Sequence, residues 1–331
     1  MSKQVQAFLV AVISVLLVVS FSWAASKKPY ERFTPEDYPK RAIEITVPFG
    51  AGGTVDALCR QVAPLMEKRM GAAVGVVNRP GANSIVNMKY LLSQPADGYL
   101  ISGLTNDTIA AIAAGTTKIR IKDLVWLRRT LLDIEMFFVR SDDKRFQTWD
   151  EYVKYAKAHP GELSMAVAGA GGIEHVVAAL VNYAAGVKVK YVPFDVPTER
   201  FTAFLGGHTD LLLEEPTDMK AYIEEGKCHP IIQMIEERPS MFKDTPTAPE
   251  KGIDVTLALW RGFCMNPAMS YKKINYIYAV IQDCLQDPKY LEWKNKRGYI
   301  RPDYDESPMQ FHRNAYKSLE QIKQAFELIK K

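Results

Sequence analysis

Histidine is scarce in this chain and cysteine scarcer still, with five and four residues among 331. The cysteines (Cys59, Cys228, Cys264 and Cys284) form no CxxC pair, and none stands near a suitably spaced histidine. That spacing argues against a zinc site. Each lies in an apolar stretch, where cysteine usually behaves as a small buried hydrophobe. One disulfide stays open as an option, with no pairing readable from spacing. The histidines (His159, His175, His208, His229 and His312) are scattered, so no metal is expected. No G-x-S-x-G elbow or local nucleophile–His–Asp set occurs. A triad need not be local in sequence, which leaves an exported hydrolase open. A charge excess is also missing: 42 basic residues face 38 acidic ones. Extended nucleic-acid surfaces need a concentrated basic excess, so no nucleic-acid partner is expected. The 47% hydrophobic content argues against disorder.

Long apolar runs are absent except at the start. Lys3 precedes an almost wholly apolar run, Ala7 to Phe21, and Ser22 and Ala24 stand at the −3 and −1 positions of a small-residue cleavage site. Residues 1–24 read as a secretory signal peptide. The run is shorter than the ~20 residues of a bilayer span, which disfavours an uncleaved anchor. No cysteine follows the site, so lipidation is not implied. The product is expected to be soluble, exported and periplasmic, with a polar leader over residues 25–40.

Beyond the leader, strand-like and helix-like segments alternate. "IEITVPF", "AVGVVN" and "YLISGLT" read as strands, separated by helical "TVDALCRQVAPLMEKR" and "SIVNMKYLLS". Such spacing implies right-handed crossovers and a parallel sheet. The first unit ends near "FFVRSDD". A second repeats the alternation through "LSMAVAG", "VKYVPF", "TDLLLEE" and "PIIQMI", and "LALWRGFCMNP" returns to the first. The pattern predicts two α/β lobes, each a mostly parallel sheet flanked by helices. Lobe 1 spans 41–140 plus 255–331, and lobe 2 spans 141–254. The aromatic-rich C-terminal helix carries apolar residues at helical spacing, which points to core packing.

Two glycine-rich turns follow a strand and open a helix: "FGAGGT" (Phe49 to Thr54) and "AGAGGIEH" (Ala168 to His175). Glycine lets backbone N–H groups approach a ligand, and a helix N-terminus favours an anion. Val55 and Glu174 stand where a dinucleotide fingerprint needs its third glycine, and no phosphate-loop lysine is present, so no cofactor is expected. A third turn, "NRPGANS" (Asn78 to Ser84), has the same strand-to-helix setting. In open α/β sheets ligands bind at the carboxyl ends of strands, where all three turns fall. One such turn is as well explained by tight chain reversal. Two on opposite lobes favour an anion clamp.

The segments "YPKRAIEITVPFGAGGTVD", "VVNRPGANS", "ADGYLI", "PGELSMAVAGAGGIEH", "FLGGHTDLLLEE" and "DTPTAPEKGI" occur in that order. Together they resemble the Bug/TctC family, the extracytoplasmic solute-binding proteins of tripartite tricarboxylate transporters. The likeness runs from about Tyr38 to the C-terminus. It implies a two-lobed periplasmic-binding-protein fold of type II-like architecture with a cleft between the lobes. It further implies a small carboxylate ligand, membrane permease subunits as partners, a monomer, and no catalysis. Carried over by position, the ligand loops fall on Phe49, Gly50, Ala51, Gly52, Gly53, Thr54 and Asp56; on Asn78, Arg79, Gly81, Ala82 and Asn83; and on Thr105. In lobe 2 they fall on Ala168, Gly169, Ala170, Gly171, His175, Phe194, Asp195 and Glu214. The chain departs from the family where a usual lysine is Asp195 and where the acid is doubled at Glu214 and Glu215. Either these acids face solvent, or the ligand carries a cationic or uncharged end. An exported enzyme on a small acid, or a sensory binding protein, stands as the alternative.

Overall fold

The computed structural model describes residues 28–255, 259–297, 299 and 306–329; the expected signal peptide lies outside them. Two five-stranded sheets form the frame. The first contains β1 (Ile43–Val47), β2 (Val74–Asn78), β3 (Leu100–Thr105), β4 (Val125–Asp133) and β10 (Leu259–Met265), in the order β2-β1-β3-β10-β4. The second contains β5 (Met136–Arg140), β6 (Ser164–Ala168), β7 (Lys190–Phe194), β8 (Leu211–Glu214) and β9 (Cys228–Gln233), in the order β7-β6-β8-β5-β9. β1 is parallel to β2 and β3, whereas β10 runs antiparallel to β3 and β4. In the second sheet β6 is parallel to β7 and β8, and β5 is antiparallel to β8 and β9. Each lobe therefore holds one reversed strand beside a parallel set.

The boundary expected at 140 moves. β5 pairs in the second sheet, so the first crossing between lobes falls at Ile134 and Glu135. The return passes through 255–259, where 256–258 lie outside the described residues. β4 and the short helix α3 (Asp107–Ala113), which follows β3, match no strand or helix expected from sequence. β4 carries Arg128 and Arg129, yet Arg128 is buried, with Nη1 donating to the Glu306 carbonyl at 3.0 Å. Arg129 pairs with the Glu306 carboxylate, its Nε 2.6 Å away.

Helix boundaries follow local chemistry. α1 (Thr54–Met70) ends at Gly71, whose φ of 69° is left-handed. α2 (Ile85–Ser93) follows β2. α4 (Trp149–Ala158) opens on a reciprocal cap: the Glu151 amide donates to Thr148 Oγ1 at 3.3 Å, and the Thr148 amide donates to Glu151 Oε2 at 3.1 Å. α5 (Ile173–Ala185) follows β6. α6 (Pro197–Leu205) and α7 (Pro216–Glu224) begin with proline, which lacks the N–H that a first turn leaves unbonded. α8 (Tyr271–Cys284), α9 (Pro288–Arg297) and α10 (Pro308–Ile329) complete the chain. Among the described residues no helix is long and apolar enough to cross a membrane. All four cysteines are buried and free, so no disulfide forms.

α10 buries Phe311, Ala315, Leu319, Ile322 and Ala325, a helical spacing that makes one apolar stripe. The stripe packs on α3 and β4 of the first lobe and on α5 of the second. Phe311 meets Trp126 and Trp260 edge-on, at centroid distances of 5.3 and 5.1 Å. Removing the ring should leave a cavity the two indoles do not fill. Phe311→Ala is expected to cost about 3–5 kcal/mol in denaturant unfolding; a loss below about 1 kcal/mol would mean that α10 is not part of the core.

Candidate functional site

The site lies where the strand ends of the two sheets face each other. After β1 the chain turns through Phe49 to Gly53, whose extended backbone (φ −79°, ψ 169°) leads into α1. Asp56 pins this turn from below. It accepts from the Gly52 amide at 3.0 Å, Asn78 Nδ2 at 2.9 Å and Arg60 Nε at 3.0 Å. Burial raises the Asp56 pKa, but these bonds outweigh it and hold the carboxyl below its usual range. Asn78 also donates to the Phe49 carbonyl at 3.0 Å. Asp56 and Asn78 thus brace the loop. Arg79 turns away, its guanidinium 3.6 Å from the Tyr90 ring centre and 3.3 Å from Glu44. Gly81 to Ser84 form a left-handed run, from which Asn83 Nδ2 donates across the cleft to the Ala170 carbonyl at 2.6 Å.

The second glycine turn finds its partners within the chain. The Ala168 amide donates to Glu174 Oε2 at 2.9 Å, and Gly169 to the Phe194 carbonyl at 3.0 Å. Gly171 donates to His175 Nδ1 at 3.1 Å, and Ile173 to Asp107 Oδ1 of the first lobe at 3.0 Å. The expected anion seat therefore holds carboxylates of this protein. His175 packs on Tyr191, and burial lowers its pKa. Side chains of the facing lobe crowd both glycine positions, and the left-handed backbone of Gly169 favours glycine. A Cβ on Gly169 (φ 53°) would lie 2.0 Å from Asn83 Oδ1, and one on Gly172 would lie 2.8 Å from Asp107 Oδ1.

A cavity of about 70 Å³ remains between the lobes. Of the residues expected at the site, Phe49, Gly53, Thr54, Thr105, Ala168, Gly169, Phe194 and Asp195 line it. Gly50, Ala51, Gly52, Asp56, Asn78, Arg79, Gly81, Ala82, Asn83, Ala170, Gly171, His175 and Glu214 do not. Val55, Asp107, Glu174 and Pro197, which lie within or beside the expected loops, line it too, as does Glu215 of the doubled acids. Arg200, Asp218, Leu259 and Arg261 line it without having been expected from sequence. Arg261 reaches the rim because β10 is reversed: its first residues stand beside the last residues of β3, Arg261 opposite Thr105.

Buried charge dominates this wall. Arg200, only 3% exposed, donates through Nη1 to Glu174 Oε2 at 2.9 Å and through Nη2 to Glu214 Oε2. Arg261 donates through Nη2 to Glu215 Oε1 across the lobes. Oxygens of Glu174, Glu214 and Glu215 lie within 4.8 Å of one another, a spacing that suits a cation. The two guanidiniums supply that positive charge. Burial pushes Glu174 up to about 7, with Arg200 opposing. Burial and the Glu215 charge push Asp218 up to about 6 and Asp133 up to about 8. Glu135, in the first crossing, is held well above its usual value by burial and then by Glu174. Burial also raises Glu215, but Arg261 and its hydrogen bonds bring that carboxyl below the usual range. Glu214 and Glu215 do not face solvent; their exposures are 0% and 1%, whereas Asp195 is exposed. The lobes are clasped by further bonds: Thr54 Oγ1 donates to Asp218 at 3.1 Å, and Thr217 Oγ1 to Asp133 Oδ2 at 2.5 Å.

A family model described as "Tripartite tricarboxylate transporter family receptor" matches residues 58–329. The chain belongs to that family. Among curated relatives, a protein of Cupriavidus necator named for the gbd 5′ region is 27% identical over 266 residues, covering 78% of each chain. A TctC solute-binding protein from Polaromonas, solved without ligand, is 26% identical with a TM-score of 0.67 over 88% of this chain and 99% of that one. A protein of R. palustris solved with adipate shares the fold, with a TM-score of 0.80 at 21% identity over 88% and 98%. Family members are periplasmic solute-binding proteins of two-lobed α/β fold.

The buried acids set the pH dependence of stability. The folded pKa values of Glu174, Asp218 and Asp133 lie above the unfolded values of about 4. Between those values the folded state binds more protons, so rising pH removes stability, by at most about 1.4 kcal/mol per pH unit per group. Asp56, Asp143 and Asp210 are lowered, and their contributions, full above about pH 4, fade only below it. The thermal midpoint of the unliganded protein should therefore peak near pH 5 and fall towards pH 8. A midpoint that climbs from pH 5 to pH 8 would show these acids to be ionised throughout.

Proposed function

We propose that this receptor captures a small carboxylate between its lobes and delivers it to the membrane subunits of a tripartite transporter, as a monomer without catalytic turnover. The observation that carries this reading is a small cavity enclosed by strand-end turns of both sheets and bounded by hydrogen bonds that span the lobes. Family membership and the adipate in a protein of the same fold support it. The N-terminal charge, apolar run and small-residue cleavage site support export to the periplasm.

Closure supplies the capture. The contacts that span the lobes can form only when the cleft is shut, so ligand entry requires a hinge at the two crossings. Small-angle scattering should give a larger radius of gyration without ligand than at saturation. Identical profiles in the two states would sink the hinge.

The first-lobe loop is tested by Gly53→Asp. Gly53 has an ordinary φ, and a Cβ there meets only Pro197 Cγ, at 3.7 Å, so the fold has room for a side chain. The added carboxylate would stand in the cavity and repel an acidic ligand. Titration calorimetry with a carboxylate panel should show binding by the wild type and at least ten-fold weaker binding by the variant. Each wild-type binder should also raise the thermal midpoint, with about 2.7 kcal/mol gained at a hundred-fold excess over Kd. Wild-type affinity in the variant would remove the first-lobe loop from the site. Cells lacking the chain should lose uptake of the captured acid, and the variant should not restore it.

A further inference from the structure

The cavity holds unused hydrogen-bonding and charge capacity of both signs. Arg261 lines it at 8% exposure, yet only Nη2 is engaged, by Glu215. Its Nε and Nη1 have no hydrogen-bond partner among the described residues. Buried donors are seldom left unpaired, because each forfeits its bonds to water. Arg200 retains only Nε, since both its terminal nitrogens are committed to Glu174 and Glu214. The two free donors of Arg261 lie on different faces of the guanidinium, so either one can meet a ligand carboxylate by a charge-assisted hydrogen bond.

On the negative side, Asp107 and Asp218 also line the cavity. Among the described residues Asp107 accepts from neutral groups, the Ile173 amide at 3.0 Å and Thr105 Oγ1 at 2.8 Å. Asp218 accepts from Thr54 Oγ1 at 3.1 Å, and its nearest ion-pair partner, Arg297, stands 3.9 Å away with 37% of its side chain exposed. Glu174 and Glu215, by contrast, are spent on arginines. The cavity thus offers the free donors of Arg261 and two carboxylates that no arginine hydrogen-bonds among the described residues.

We propose that the captured solute is a small amino acid or comparable zwitterion, its carboxylate on a free donor of Arg261 and its ammonium drawn to Asp107 and Asp218. This deepens the carboxylate-capture reading and rests on it. A second ligand carboxylate placed where the ammonium belongs would meet two aspartates instead, so plain diacids are disfavoured. Asp195 at the mouth adds to the same preference.

The test uses matched acids that differ only in the amine: glycine and acetate, alanine and propionate, γ-aminobutyrate and butyrate, aspartate and succinate. Calorimetric titration of the wild type should find the amine-bearing member of at least one pair about ten- to a hundred-fold tighter, the range of one charge-assisted contact. Asp107→Asn with Asp218→Asn keeps side-chain oxygens for Ile173 and Thr54 but removes both charges, and should collapse that ratio. Arg261→Lys keeps a cation for Glu215 but loses the free guanidinium donors, and should weaken both members of a pair. Equal or tighter binding of the deaminated acid in every pair overturns the proposal and leaves carboxylate capture standing. An amine preference that survives the double asparagine variant also overturns it. Failure of every acid to bind the wild type sinks carboxylate capture and this proposal together.

Discussion

The cleft depends on one guanidinium buried between two carboxylates. Arg200 stands on the first turns of α6, while Glu174 opens α5 and Glu214 ends β8. Three elements of the second lobe are thereby tied at one point, 3% exposed. The tie is not a source of stability in itself, because taking three charges out of water costs about what their attraction returns. Its effect is geometric. Glu174 is fixed so that its other contact, with the Ala168 amide, shapes the glycine turn. Glu214 is fixed so that its neighbour Glu215 meets Arg261 of the first lobe. An interior built this way resists partial change, since removing the arginine strands two buried acids at once.

The alternation of strands and helices was legible because most strands are β-branched runs and most helices carry an apolar stripe. β4 escaped because Arg128 and Arg129 interrupt its pattern, and their partner, Glu306, lies 178 and 177 residues away along the chain. The first crossing was misread by one strand: nothing local distinguishes an apolar run that closes one sheet from one that opens the next. In the cleft, the glycine loops were visible because glycine announces a turn. The charges were not. Arg200 finds its partners 26 and 14 residues away and Arg261 finds its partner 46 residues away, so each reads alone as an ordinary surface residue. A cue did exist in "LLLEEP", where two acids end an apolar strand, but sequence left their direction open.

The same glycine turns show how a loop motif changes use without changing shape. In both lobes the backbone presents amides at a helix N-terminus, which suits an anion. In the first lobe Asp56 takes one of them and leaves Gly53, Thr54 and Val55 on the cavity wall. In the second lobe Glu174 and Asp107 take two. The anion seat of the second lobe is filled from within.

The strand exchange at the crossings bears on the order in which the lobes mature. All five strands of the second sheet lie between Met136 and Gln233, so that lobe is complete once a continuous stretch of chain has emerged. The first sheet is different. Its β3 and β4 do not touch; β10 lies between them, and β10 begins only at Leu259. Until that residue is available, the earlier lobe has two unjoined pieces and an open edge on each. Closing so long a loop is slow relative to local pairing. The lobe encoded first therefore cannot close its sheet until every strand of the second has already been made.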